Sequence, residues 1–552
     1  MTEADPKLIE SHVRLSHSKL WEIQRNYFAS MGIQAWKEEV PFYISSNAFI
    51  GHRYALVIVN FIKEWRILNP LHAEEPFYLL EVGSGPGKFS FYFLKSLKSL
   101  LTEYGLEAQK FCYIFSDVTE KNIEFCRENP CFQPYIQRQE MDFAHFNVEE
   151  DKDIQLIIGQ KKYSELQSKT PLIIISNYTF DCIKQDAFEY EKDKLHEIQL
   201  ALRSRYKNFD TQKALHLKEL RFDFHKSIIE PEHYYENPIL NEILAAYPPL
   251  FKDENAMIMM PLGAMQFCDN MNALTKSNFF MISGDKGVSI PWHFTLMGEN
   301  YRVTYDGCYS FLVNFHAIGE YLKKQGGDYL LTENANNFKV NLYSMGTPFS
   351  RLIETTACFK AFVADMGPED YCYFFDEFLT SGYRFTLKSL LAFVKLSRWD
   401  PNAYAIVHER ILELLPLAEK VHVEDVKQEL DKVAENVYPA NMGDDVYNMM
   451  GIFYQTQNEN DKALALYLRS LEVFGDKAAP HNNAAMIYEK QKNIPKALFH
   501  YQKSYQLDDT NKFANRKIHY LTGRPYIGAI VPVVKGLFIV GLIGLALYFI
   551  SR

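Results

Sequence analysis

The sequence predicts an α/β fold continued by helical repeats, and three observations predict it. Short apolar runs alternate with helical patterns between residues 75 and 180, a 34-residue repeat recurs between 440 and 520, and a glycine-rich turn joins the first apolar run to a helix. The 552 residues leave room for two to four units at roughly 100–200 residues each. With 47% hydrophobic and 23% charged residues, a disordered or collagen-like chain is excluded. A net charge of −10 argues against a whole-chain electrostatic grip on nucleic acid. The eight cysteines are scattered, with no CxxC pair, so no metal site is expected and reduced thiols in a cytosol-like compartment are. The first residues carry no apolar core of a secretory signal.

Seven apolar runs read as strands: FYLLEV at 77, FCYIFSDV at 111, PYIQRQEMD at 134, PLIIIS at 171, NFFMISGD at 278, CYSFLVNF at 308 and FKVNLYSM at 338. Strands alternating with helices read as a parallel sheet. Between the two groups, DKLHEIQLALRSRY and TQKALHLKELRFDFHKS are charged and helical in pattern, which predicts an inserted helical region over 185–275. The expected organisation is a helical segment over 1–74 that contributes to the site, an α/β domain over 75–350, and a helical linker or degenerate repeats over 351–437. A repeat segment over 438–520 follows.

At an offset of 34 residues, Tyr454 aligns with Tyr488, Ala463 with Ala497, Tyr467 with Tyr501 and Ser470 with Ser504, while Gly451 falls opposite Ala485. These are the small and aromatic positions of a tetratricopeptide repeat (TPR), where small residues admit a close helix partner and an aromatic fills the gap. Such repeats imply a bound protein partner or substrate. From 527 to 550 the chain is apolar apart from Lys535, long enough for the roughly 20 residues that span a bilayer. A C-terminal transmembrane helix and a single-pass, tail-anchored membrane localisation are therefore expected, with Lys535 and Arg552 at the interfaces.

The chemistry-bearing motif is LLEVGSGPGKFSFYFLK, in which Gly83, Ser84, Gly85 and Gly87 turn a strand into a helix. Glycines there let a ligand approach the backbone at an open helix N-terminus, giving a Rossmann-like start to the sheet. Dinucleotide and S-adenosylmethionine (SAM) sites share such turns. Glu81 ahead of the first glycine favours SAM, since a carboxylate there can pair with the cationic methionyl group. Asp117, followed by Val118, ends the next strand and can take ribose hydroxyls or cap a helix. Asp142 and Phe143 end the third and suit an adenine amino group and ring face, or a structural role. After the fourth, Asn177, Tyr178 and Asp181 stand where such a sheet presents substrate-facing groups, with helix capping as the alternative for Asn177 and Asp181.

These residues resemble the MidA-like SAM-dependent methyltransferase family over roughly residues 20–350, with EVGSGPG in place of its glycine turn and NYTFDCIK in place of its Asn-Glu-x-x-Asp-Ala-Leu-Pro segment. WKEEVPFYISSNAFIGHRYA resembles the family's leading segment and FLVNF its later Val-Asp-Phe strand end. The resemblance implies a class I methyltransferase sheet, SAM as cofactor, no metal, and methylation of a protein side chain, arginine included. The chain departs from the family at Tyr178, at Cys182-Ile183-Lys184 and at Asn314, which removes two substrate-side carboxylates. A second function class follows from those losses, a methyltransferase-like scaffold that acts through its repeats.

Overall fold

The computed structural model describes residues 7–35, 43–205, 217–251, 254–296, 302–305, 308–334 and 336–523. It divides into two compact units, Met1–Gly382 with Phe393–Asp400, and Tyr383–Ala392 with Pro401–Arg552. In the first, β1 (Leu8–Arg14), α1 (Leu20–Met31) and α2 (Ala48–Leu68) precede β2 (Phe77–Val82), α3 (Lys88–Glu103), β3 (Phe111–Asp117), α4 (Glu120–Glu128), β4 (Met141–His145) and β5 (Leu172–Asn177). Next come β6 (Asp186–Glu191), β7 (Lys194–Ser204), β8 (Leu220–Ile228), β9 (Ala256–Met260), α5 (Leu262–Thr275) and β10 (Phe279–Val288). The hairpin β11 (Arg302–Tyr305) and β12 (Cys308–Phe311) leads to β13 (Val313–Asn314), α6 (Phe315–Lys324), β14 (Asp328–Leu330) and β15 (Phe338–Met345).

The main sheet runs β4-β3-β2-β5-β10-β15-β14, with β13 added beside β10. Its inner strands are apolar on both faces, as helix-covered parallel strands must be: Leu79, Leu80, Ile173 and Ile174 are all fully buried. Helix α2 starts where the Asn47 side chain accepts the Ile50 N–H at 3.0 Å. It covers the sheet through Phe61, stacked on Phe280 at 4.1 Å. Gly51 allows α2 to reach α3, because a Cβ there would stand 2.8 Å from that of Tyr92.

Four expectations are corrected here. The sheet has eight strands rather than seven and is mixed, since β15 pairs antiparallel with both β10 and β14. The third strand is Met141–His145, whereas Gln133–Gln137 upstream is a short helix with Pro134 in its first turn. The CYSFLVNF run divides, with Cys308–Phe311 in a separate hairpin and only Val313–Asn314 beside β10. The insertion is largely β rather than helical: β6, β7, β8 and β9 join β1 in a second, antiparallel sheet. Leu195, Ile198 and Leu202 match a helical period, but Ile198, Leu200 and Leu202 match a strand equally well. Pairing decides between them, through a hairpin turned at Lys192 and Asp193, both left-handed at φ +52° and +59°.

The second unit contains α7 (Pro401–Leu414), α8 (Lys420–Glu435), α9 (Val446–Thr456), α10 (Asn460–Phe474), α11 (Ala478–Lys490), α12 (Ile494–Leu507) and α13 (Lys512–Thr522). The helix pairs α9/α10 and α11/α12 repeat the same contacts 34 residues apart. Tyr467 donates to Gln455 Oε1 at 2.6 Å, and Tyr501 to Glu489 Oε2 at 2.8 Å. Ala514 of α13 closes the core that Ala485, Ala497 and Tyr501 build.

The apolar segment 527–550 lies outside the described residues, and no helix among the described residues is long and apolar enough to cross a membrane. The C-terminal transmembrane helix and the tail-anchored localisation expected from the apolar run therefore gain no support from the described residues. Residues 36–42 of the leading segment lie outside the described residues as well.

Gly451 faces the Tyr467 ring so closely that a Cβ would enter the ring's van der Waals surface. Gly451→Val should therefore destabilise the repeat unit by about 1–3 kcal/mol, read as a lower urea midpoint.

Candidate functional site

Between β2 and β5 the strand order reverses: the chain builds outward through β3 to β4, then returns to place β5 on the other side of β2. Loops leaving the carboxyl ends diverge at such a point and leave a crevice. A cleft opens there, lined by Gly83, Asp117 and Val118, by 146–149, and by Tyr178, Thr179, Cys182 and Ile183. Gln24, Arg25 and Phe28 of α1 complete the wall. Two bonds fix α1 to that wall, from Gln24 Nε2 to the Cys182 carbonyl at 3.2 Å and from Arg25 to the Glu149 carboxylate at 2.9 Å.

The glycine turn is left-handed at Gly83 and Gly85, φ +63° and +56°. A side chain on Gly83 would also meet Thr179, whose Oγ1 lies 2.8 Å from the Cβ position. Thr179 in turn donates to the Val82 carbonyl at 3.1 Å, so the turns after β2 and β5 are bonded to each other. On the other side, Ser84 N–H donates to the Ser116 carbonyl and Gly85 N–H to Asp117 Oδ2, both at 2.9 Å.

The candidate cofactor residues divide into three groups. Gly83, Asp117 and Val118 line the cleft. Asp117 Oδ1 accepts the Thr119 N–H at 2.7 Å, so each oxygen takes one backbone bond. Burial holds its carboxyl group above the usual range. Ser84, Gly85 and Gly87 shape the turn, and Glu81 lies behind it, where Ser90 and Tyr113 both donate to Oε2. Burial pushes Glu81 up to about 7. Asp142 and Phe143 are not in the cleft wall. The Asp142 oxygens take the N–H groups of Phe143, Ile158 and Gly159 at 2.7–2.8 Å, and Phe143 is wholly buried beside Phe115.

At the end of β5, Tyr54 donates to Asn177 Oδ1 at 2.8 Å. Tyr178 lines the cleft from a left-handed backbone, φ +50°, costly for a bulky residue and sustained only where neighbours enforce it. Those neighbours stand in the second half of β10. The Gly284 carbonyl accepts the Tyr178 N–H at 3.0 Å, and Asp285 Oδ2 accepts the N–H groups of Phe180 and Asp181 at 3.1 and 3.2 Å. Asp181 and Asp285 are both buried, and desolvation, with their mutual repulsion at Asp285, raises both carboxyl groups. Tyr54, Gln24, Arg25 and Asp285 were not singled out in the sequence. An acid directly after a glycine at the end of NFFMISGD was the available signal for Asp285.

Among the described residues no cluster of His, Cys, Asp and Glu could hold a metal. Between the ordinary glutamate value of 4.5 and about 7, the folded chain keeps a proton on Glu81 that the unfolded chain has released, so stability falls as pH rises through that window. Glu81→Gln should flatten this dependence, which urea titrations of both proteins at about pH 5 and about pH 7 will check.

Residues 445–510 match the tetratricopeptide repeat family model, so the α9–α12 pairs are TPR repeats. The uncharacterized protein ycf37 of Porphyra purpurea is 40% identical over 70 residues, 13% of this chain and 40% of that protein. Its counterpart in Pyropia yezoensis is 31% identical over 94 residues, so the chain spans about half the length of the curated relatives it matches, or less. A COG1565 superfamily member of Burkholderia thailandensis, crystallised with S-adenosyl-homocysteine, is similar at 12% identity and a TM-score of 0.39. That match covers 60% of this chain and 88% of the solved one.

Proposed function

We propose that the first unit binds SAM in the cleft at the β2/β5 reversal and transfers its methyl group to a protein side chain, with the TPR repeats engaging a protein partner. The observation that carries this reading is the left-handed glycine turn facing the cleft at the carboxyl edge of the sheet. Asp117 suits the ribose hydroxyls, because it lines the cleft and backbone donors hold both its oxygens in place. The exposed backbone at Gly83 suits the methionyl end. SAM supplies the activated methyl group and its own leaving group, which leaves positioning to the protein. Asn177, Tyr178 and Asp181 are the residues assigned to the substrate side, the first held by Tyr54 and the last by Asp285 through its backbone. An acceptor of any protonated kind needs a base, and Asp181, raised into the range where a carboxylate exchanges protons near neutral pH, suits that task. Arginine is the acceptor that the family resemblance suggests.

A scaffold without turnover is the second reading, favoured by Asn314. It stands where the family has an aspartate, and it is engaged in structure: its Oδ1 accepts the Ala317 N–H at 2.9 Å and its Nδ2 donates to the Met259 carbonyl at 2.8 Å.

Calorimetric titration with SAM should show binding that Gly85→Arg weakens at least about tenfold, or 1.4 kcal/mol. No binding by the wild-type chain would sink the enzyme reading. Incubation of a cell lysate with the protein and methyl-labelled SAM should label at least one protein band; binding with no labelled band would favour the scaffold.

A further inference from the structure

The second repeat carries a buried pair of histidines that the first does not. At the 34-residue offset, His481 of α11 stands opposite Tyr447, and His500 of α12 opposite Leu466. Both histidines are buried, at 3% and 7% exposure, and their Nδ1 atoms lie 2.8 Å apart. Asp476, just ahead of α11, sets the direction of that bond. Its Oδ1 stands 3.3 Å from His481 Nε2, and an ionised carboxylate only accepts, so Nε2 carries the proton and the neutral His481 ring keeps Nδ1 as an acceptor. His500 therefore donates from Nδ1. Tyr488 of α11 stacks on the His500 ring at 5.4 Å and 28°.

Proton counting gives this contact a consequence. The folded pair can take one further proton, on His500 Nε2, and keep its bond. A second would have to sit on His481 Nδ1, where two N–H groups would face each other across 2.8 Å and the bond would be lost. In the unfolded chain both rings are free to take protons. We propose that the His481–His500 pair is a proton-sensitive lock on the second repeat: at neutral pH the bond between the two Nδ1 atoms closes α11 on α12, and acidification loosens it. Because repeats of this kind are stable only against their neighbours, loosening this one weakens the surface through which a protein partner would be held. The proposal concerns the repeats alone and stands apart from the SAM reading of the cleft.

The charged groups acting on the pair are few. Asp476 and Lys503 act on His481, while Lys496 and Asp476 act on His500, and none comes from α10 or α13 among the described residues. Lys503 is itself 3.5 Å from Asp476. The remaining neighbours are rings, Tyr488 against His500 and Phe499 edge-on to His481. Burial lowers the pKa of both histidines, His500 to about 4 with His481 and Lys496 adding to the effect, and Asp476 opposes this from the Nε2 side of His481. Below the ordinary histidine value of 6.5 the folded repeat thus holds at least one proton fewer than the unfolded one. Stability is therefore fully present above that value and is lost as pH falls from it toward about 4.

Hydrogen exchange on the full chain tests this, read by mass spectrometry on peptides from α11 and α12 and corrected for the intrinsic pH dependence of exchange. Between about pH 7 and about pH 5 the opening equilibrium of these peptides should rise at least about tenfold in the wild type, since a difference of one proton is worth about tenfold per pH unit below 6.5. His481→Tyr combined with His500→Leu installs the residues of the first repeat and should hold the rise below about threefold. His481→Gln combined with His500→Gln keeps two hydrogen-bonding side chains that cannot titrate, and should do the same even if the first variant packs poorly. A wild-type opening equilibrium that does not change over this range, or a rise as large in both variants as in the wild type, would overturn the proposal.

Discussion

With hydrogen as its side chain, Gly83 lets the ends of β2 and β5 close on each other, and the cleft is built around that contact. Thr179 occupies the space a Cβ would need and bonds to the Val82 carbonyl, which joins the two turns flanking the strand-order reversal. The glycine turn then needs left-handed backbone to continue into α3, and Ser116 and Asp117 at the end of β3 hold it there. Tyr178, forced left-handed one residue before Thr179, is the cost of that closure, which the Gly284 and Asp285 bonds offset.

Within the main sheet, carboxylates serve as acceptors for backbone N–H groups before they serve any ligand. Asp117 ties down the glycine turn, Asp142 the loop at 158–159, and Asp285 the turn after β5. Away from the cleft, Glu64 does the same for a short helix, accepting the N–H groups of Glu354 and Thr355 at 2.7 and 2.8 Å. Charge-assisted bonds of this kind contribute about 1.5–3 kcal/mol each, against the desolvation that raises Asp117, Asp181 and Asp285. What separates the residues suited to a ligand from the purely structural ones is access to the cleft: Asp117 has it and Asp142 does not.

Much of this was legible in the chain. The apolar runs at 77, 111, 171, 278 and 338 each form a strand of the main sheet, because a strand buried on both faces must be apolar at nearly every position. The repeat was legible since its small and aromatic positions recur at one spacing. The insertion was not, because its apolar residues satisfy two periods at once and only pairing with β1 and β9 selects between them. Strand β14, three half-buried residues, carries too little pattern to be seen.

The sequence by itself determined the local events: where a strand must stop, where only glycine can turn into a helix, and where a small residue must face an aromatic in the repeats. These depend on neighbours within a few residues or on a fixed period. Tertiary structure alone decided what each acid does, since Asp117, Asp142 and Asp285 look alike in or after apolar runs and differ in which distant N–H groups reach them. It also decided that a strand from residues 8–14 completes the inserted sheet and that α1 walls the cleft. Contacts across more than a hundred residues leave no local mark, because hydrogen bonding and burial depend on proximity in space and not on spacing along the chain.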